Sequence, residues 1–304
     1  MKPSRFAAFS MLTVAVAFWG ASYPVTRYAL RFIPPFTLGF ARFAAAALLL
    51  AAFVRPAAAP PRGERAALLA LGFTGSFLFV GLMNLGMRAT TGVAGSLLSA
   101  TPPVLTALLA AAFLGEPLRR GRVAGLAAGI AGVVLVARAP GGGASPAADF
   151  VRGNAIILLS QVCWASYTML GRRFALRCAG DTAAFWTTAV GALLLLPLSC
   201  LELLRGAAIV VTAGGALALL YLSVLNTALA YLFWNRALRT VGASTAAGFQ
   251  YLQPLSGAFV SIAFLGERLS PPLVAGAALI LAGVWFVLRG EGARDGNAAA
   301  AVPD

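Results

Sequence analysis

The chain has 304 residues, of which 60% are hydrophobic and only 11% charged. A soluble domain carries about 25% charged residues, so this composition excludes a water-soluble fold and implies an integral membrane protein. The net charge of +14 comes from arginines in short clusters between apolar runs. That pattern orients membrane segments rather than building a nucleic-acid surface.

The spacing predicts an all-α integral membrane protein. Ten apolar windows are long enough to cross a hydrocarbon core of about 30 Å. They fall at 8–30, 36–54, 66–87, 91–114, 121–138, 153–171, 182–203, 212–235, 243–265 and 272–288. The first run follows Lys2 and Arg5 and passes through Trp19, Tyr23 and Pro24 without a small-residue cleavage site, so it reads as a retained span. Residues 139–152, with Pro140-Gly-Gly-Gly-Ala-Ser-Pro146, read as a linker, and 289–304 as a disordered polar tail. With the N-terminus cytoplasmic, 15 basic residues fall inside and 7 outside. This bias places both termini in the cytoplasm.

The second half repeats the first. A shift of 151 residues carries Asn84 onto Asn235, Pro103 onto Pro254 and Phe113-Leu114-Gly115-Glu116 onto Phe264-Leu265-Gly266-Glu267. The same shift maps Gly125 and Gly132 onto Gly276 and Gly283, while a shift of 145 maps Trp19 onto Trp164 and Arg27 onto Arg172. About six extra residues must therefore lie between those regions in the second half. The repeats are residues 1–138 and 153–288. Five spans each is an odd number, so the two have opposite orientations, and such inverted pairs hold the substrate path at their interface.

These residues resemble the EamA-type transporters of the drug/metabolite transporter superfamily. The resemblance rests on Phe18-Trp19-Gly20-Ala21-Ser22, Ala41-Arg42-Phe43 and the two Pro…Leu-Gly-Glu units, the second running from Gln253-Pro254 to Leu265-Gly266-Glu267-Arg268-Leu269. It extends over about residues 8–288. It implies a multi-pass carrier of the bacterial inner membrane that moves small organic solutes such as amino acids or amines, often outward. Substrate and direction vary among such carriers, so neither transfers with the fold.

Pro24, Pro103 and Pro254 fall inside spans and are expected to kink them as hinges. Each removes an N–H and frees the carbonyl four residues back, at Gly20, Ser99 and Gln250; Pro102 adds Leu98. In hydrocarbon such carbonyls need protein, water or a ligand. Aromatic and polar residues cluster on the same spans, which is the form of a small-molecule site. The expected substrate-binding set is Trp19, Tyr23, Arg42, Asn84, Ser99, Trp164, Tyr167, Tyr231, Gln250 and Gln253, with Ser22, Asn226, Trp234, Asn235 and Tyr251 nearby. Trp and Tyr near span ends also fit an interfacial belt.

Arg42 is the basic residue within a span, about six residues from its outer end. It could meet an anionic substrate group, or it could snorkel to the surface. Glu116 and Glu267 follow glycines suited to end helices and are expected to pair with loop arginines such as Arg119 or Arg268. The other acids lie at span ends, in loops or in the tail, and there is no histidine. A proton antiport carried by a buried carboxylate is therefore not expected. No cofactor, metal or catalytic set is expected: Cys163, Cys178 and Cys200 form no CxxC, and no Ser/His/Asp group exists. Glycines such as Gly125, Gly129, Gly132, Gly276 and Gly283 suit close helix packing, between the repeats or between two copies of the chain. The oligomeric state stays open, a monomer being sufficient. The reading is a secondary carrier for a small-molecule solute; the alternative is a flippase-like carrier of lipid-linked or phosphorylated substrates anchored at Arg42.

Overall fold

The computed structural model describes residues 4–54, 62–114, 120–139, 147–175, 180–237, 240–241, 249–250 and 252–299. Gly115, Glu116, Arg119, the linker glycines, Cys178, Tyr251 and the start of the ninth span lie outside them. Among the described residues every regular element is helical. Helix α1 is Arg5–Ala29, capped by Ser4, whose side chain accepts from the Ala7 amide at 3.2 Å. Helix α2 is Pro35–Val54, with proline at the first position, where no N–H is needed. Helix α3 runs Arg65–Met87, α4 is Gly92–Leu98, α5 is Pro102–Leu114 and α6 is Arg120–Arg138. The second half supplies α7 (Ala147–Ala175), α8 (Gly180–Leu204), α9 (Ala213–Leu220 continuing through Ala230–Ala237), α10 (Leu252–Leu265) and α11 (Pro271–Ala299).

Five of these helices are long and apolar enough to span a bilayer: Arg5–Ala29, Pro35–Ala52, Arg65–Met87, Ala184–Leu204 and Ala213–Trp234. Large apolar side chains such as Leu48, Leu193, Phe259 and Phe264 lie exposed, while Asn84, Asn154, Gln161, Asn226 and Arg42 are buried. This inside-out distribution suits hydrocarbon as the outer solvent. Helix α11 runs on to Ala299, past residue 289 where the polar tail was expected. Helix α8 has 25 residues against 20 in α2, which takes up most of the extra length in the second half.

Packing between the halves is reciprocal. Helix α1 packs on α9 and α10, and its counterpart α7 packs on α3, α4 and α5. Helices α2 and α8 pack on each other, as do α6 and α11. Such exchange of partners is the mark of a two-fold relation. The α6–α11 contact shows its direction. A Cβ on Gly132 would lie 2.6 Å from the Gly276 carbonyl oxygen, and one on Gly283 2.6 Å from that of Gly125. As one chain number rises the other falls, so these equivalent helices run antiparallel. The small-residue spacing thus serves packing within the chain.

Two features depart from the sequence expectation. First, Pro103 and Pro254 do not bend continuous helices. The chain breaks at 99–101, and Pro102 and Pro103 open α5; Pro254 lies in the first turn of α10. Proline is tolerated there because the first-turn amides have no intrahelical partner. Nor are the expected carbonyls all free. Leu98 O accepts from the Thr101 amide at 3.1 Å and its hydroxyl at 2.7 Å, and Gln250 O accepts from the Gln253 amide at 3.0 Å. Pro24 lies inside α1, which runs through it unbroken. Second, α3 and α9 each contain a π-helical stretch, Gly72–Leu78 and Tyr221–Leu229. The 151-residue shift superposes them, so the extra residue per turn is part of the repeated unit.

Glu267 is held differently from expectation. Gly266 ends α10 with φ +64°, and the Glu267 amide returns to Ser261 O at 3.2 Å. The carboxylate then caps the other repeat: it accepts from the amides of Gly92 and Val93, both at 2.8 Å, and pairs with Arg27 rather than Arg268. The positive end of α4 and the cation in the last turn of α1 converge there. Glu202 does the same for α2, accepting from the amides of Phe36 and Thr37 at 3.1 and 2.8 Å.

Candidate functional site

Where the two halves meet, the two breaks and the π stretch of α9 border a partly open cavity of about 110 Å³. That is room for several waters or a small solute. Its wall combines Trp19, Ser22 and Tyr23 of α1, Arg42 of α2, Ser99, Ala100, Pro102 and Pro103 at the first break, Trp164 of α7, and Gln250 and Gln253 at the second. Tyr231 and Asn226 of α9 complete the polar side, with Phe79, Met83 and Val284 on the apolar side.

Two aromatic clusters border it, each built from residues of both halves. Trp19 lies 5.7 Å from Tyr231 and 5.1 Å from Trp234, between ring centroids. Trp164 lies 5.0 Å from Phe79 and 5.1 Å from Tyr167. The Trp19 indole N–H donates to the Asn226 backbone carbonyl at 3.2 Å, fixing the ring against the π stretch. Gln161 Nε2 donates to the Tyr23 hydroxyl at 3.0 Å and ties α1 to α7 across the cavity.

The π stretch of α9 holds Arg42. Thr227 bonds back to Leu222 O at 2.8 Å, five residues earlier, and its hydroxyl accepts from Arg42 Nε at 3.0 Å. The Asn226 amide satisfies both neighbours with its nitrogen on Phe18 O at 3.0 Å and its oxygen on Arg42 Nη2. Phe18 O also accepts from the Tyr221 hydroxyl at 2.9 Å. Arg42 is only 7% exposed, so it does not snorkel. An extra residue in a helical turn swings two consecutive polar side chains inward, a feature with no hydropathy signature.

Not every expected residue reaches the cavity. Asn84 is buried, donating to Pro35 O at 2.8 Å at the start of α2. Tyr167 lies behind Trp164 and against Gly75. Pro24 packs on Gly92. Pro254 is buried in α10 outside the lining, whereas Pro103 lines it. Gln161 was absent from the sequence reading; an isolated amide three residues before Trp164 in an apolar helix was the signal available. Phe79, Met83 and Val284 carry none, because they look like any other apolar wall residue.

An all-helical membrane protein of two reciprocal halves enclosing an aromatic and amide-lined cavity belongs to the class of membrane transporters. The EamA-like transporter family model matches the chain twice, at residues 6–138 and 151–289, and the chain belongs to that family. Similar proteins bear transporter names. A probable amino-acid metabolite efflux pump of Salmonella typhimurium is 31% identical over 94% of this chain and 96% of its own. A probable terminal-alkyne amino-acid exporter of Streptantibioticus cattleyicolor is 30% identical over 91% of this chain and 92% of its own. The uncharacterized transporter YyaM of Bacillus subtilis is 28% identical over 91% and 92%. A crystal structure at 23% identity matches with a TM-score of 0.62 over 93% of this chain, a likeness of fold.

Proposed function

We propose that the protein is a secondary carrier that exports small amino-acid or amine-like solutes across the bacterial inner membrane by alternating access. The cavity enclosed between two reciprocal halves carries this reading. In it the ten apolar windows are ten spans, both termini are cytoplasmic and the halves are inverted in the bilayer, in keeping with the antiparallel α6–α11 contact. The breaks at 99–101 and before Pro254 supply the places where the half-helices turn. The names of the relatives from Salmonella and Streptantibioticus support an amino-acid-like solute and outward movement. No carboxylate lines the cavity among the described residues, so this reading includes no proton exchange through a cavity carboxylate.

The alternative, a carrier of lipid-linked substrates anchored at Arg42, calls for a lateral opening beside that residue. Arg42 instead lies buried against the π stretch of α9. The test is counterflow in liposomes containing the purified chain, loaded with a mixture of unlabelled amino acids and amines. Transient accumulation of one labelled member is expected. In a variant lacking the three native cysteines, Ser99→Cys should react with an impermeant thiol reagent from one side at a time. Reaction from both sides at once in one conformation would mean a channel and overturn the carrier.

A further inference from the structure

Arg42 presents a second, separate observation. Its Nε and Nη2 are taken by neutral acceptors, Thr227 and Asn226. Its Nη1 is buried and has no hydrogen-bond partner. Among the described residues its charge has no carboxylate partner either: the ion pair observed is Arg27–Glu267. The guanidinium lines the cavity, and its surroundings there are the neutral side chains of Trp19, Tyr23, Ser99, Gln250 and Gln253. A charge removed from water is costly unless compensated, and within a membrane the cost is greater. The protein holds Nε and Nη2 on neutral acceptors and leaves Nη1 buried without a partner, so the charge of this cavity-lining residue is uncompensated.

We infer that Arg42 is an anion anchor, and that the cavity ligand carries one carboxylate-type negative charge that pairs with its guanidinium. The charge count limits the ligand. One guanidinium compensates one negative charge, and no other basic residue lines the cavity among the described residues. A phosphate dianion would therefore leave charge unmatched. An amine without an acid group would meet a like charge in a low-dielectric space, with no carboxylate to receive it. The carried solutes are then monoanions or zwitterions, their apolar parts against Trp19, Tyr231, Trp164 and Phe79. Amines lacking a carboxylate drop out. The fixed Thr227 and Asn226 contacts make the site preorganised, since the fork need not search for its orientation.

This rests on the carrier reading only in taking the cavity as the solute's place, so its test is a binding measurement that needs no transport. The full chain in nanodiscs, in a dilute chloride-free Tris–sulfate buffer, is titrated with sodium acetate, acetamide and methylammonium while tryptophan fluorescence is followed. Trp19 and Trp164 border the cavity and report occupancy. Acetate is expected to give a saturable change. Acetamide, its neutral isostere, and methylammonium are expected to bind at least about tenfold more weakly, the ratio that a charge-assisted hydrogen bond supplies. Arg42→Lys, which keeps the charge, should retain weakened acetate binding, and Arg42→Gln should lose the acetate preference. Equal binding of acetate and acetamide, no saturable acetate signal in the folded wild type, or full acetate preference in Arg42→Gln would each overturn the anchor. If Arg42→Gln does not fold, the acetate–acetamide contrast and Arg42→Lys decide alone. Amine counterflow in liposomes would overturn the anchor while leaving the carrier standing. Acetate binding without any counterflow would do the reverse.

Discussion

Replacing Glu267 should unfasten the contact that joins the end of α10 to the first repeat. Its carboxylate accepts two amide hydrogen bonds at 2.8 Å from the first turn of α4 and pairs with Arg27. The side chains are 10% and 24% exposed, so water replaces these contacts incompletely. Losing a cap costs about 1 kcal/mol. The interaction of the charge with the helix end adds roughly 0.5 kcal/mol, and the ion pair up to about 1 kcal/mol. Glu267→Ala should therefore cost about 2–3 kcal/mol. Glu267→Gln keeps an acceptor for one amide but loses the charge, and should cost about half as much. Melting of the purified chain in detergent should fall in the order wild type, Gln, Ala, with a total drop on the order of 5 °C or more. A cycle with Arg27→Gln should show coupling of about 0.5–1 kcal/mol. If Glu267→Ala melts with the wild type, the capping argument is wrong, and if the two substitutions add independently, the ion pair contributes nothing.

Three further outcomes follow from named contacts. Gly132→Ala places a Cβ 2.6 Å from the Gly276 carbonyl and should destabilise the chain by about 1–3 kcal/mol, whereas Gly63→Ala, with nothing within 4 Å of its Cβ, should leave the melting temperature unchanged. Asn84→Ala removes the hydrogen bond to Pro35 O and should lower the melting temperature while leaving the KM of transport within about twofold; a large rise in KM at full stability would return Asn84 to the solute site. Trp19→Phe keeps the ring but loses the bond to the Asn226 carbonyl, so KM measured by counterflow should rise about fivefold.

Much of the architecture was legible in sequence because hydropathy reports burial in lipid directly, and duplication reports itself in matched spacings. Trp19, Tyr23, Trp164 and Gln250 could be picked out because a polar or aromatic group in an apolar helix invites a partner. Asn84 invites one equally, and its partner is a backbone carbonyl at the start of α2. Composition cannot separate those cases. Pro103 was read as a mid-span kink because a span window averages over the three-residue break at 99–101. Glu267 was misassigned to Arg268, its neighbour in sequence, when its partners are about 175 and 240 residues away.

The sequence by itself determined the solvent, the helical class, the duplication and the lack of a histidine or mid-span acid for proton chemistry. These depend on composition and period, which survive without coordinates. Tertiary structure alone decided that the halves exchange partners, that α6 and α11 run antiparallel through their glycines, and that matched π stretches turn α3 and α9. It also decided the state of Arg42, with two edges of its fork held and Nη1 buried without a partner. A charge in an apolar span is either matched or unmatched only once its neighbours are known, and those neighbours come from a helix some 185 residues away.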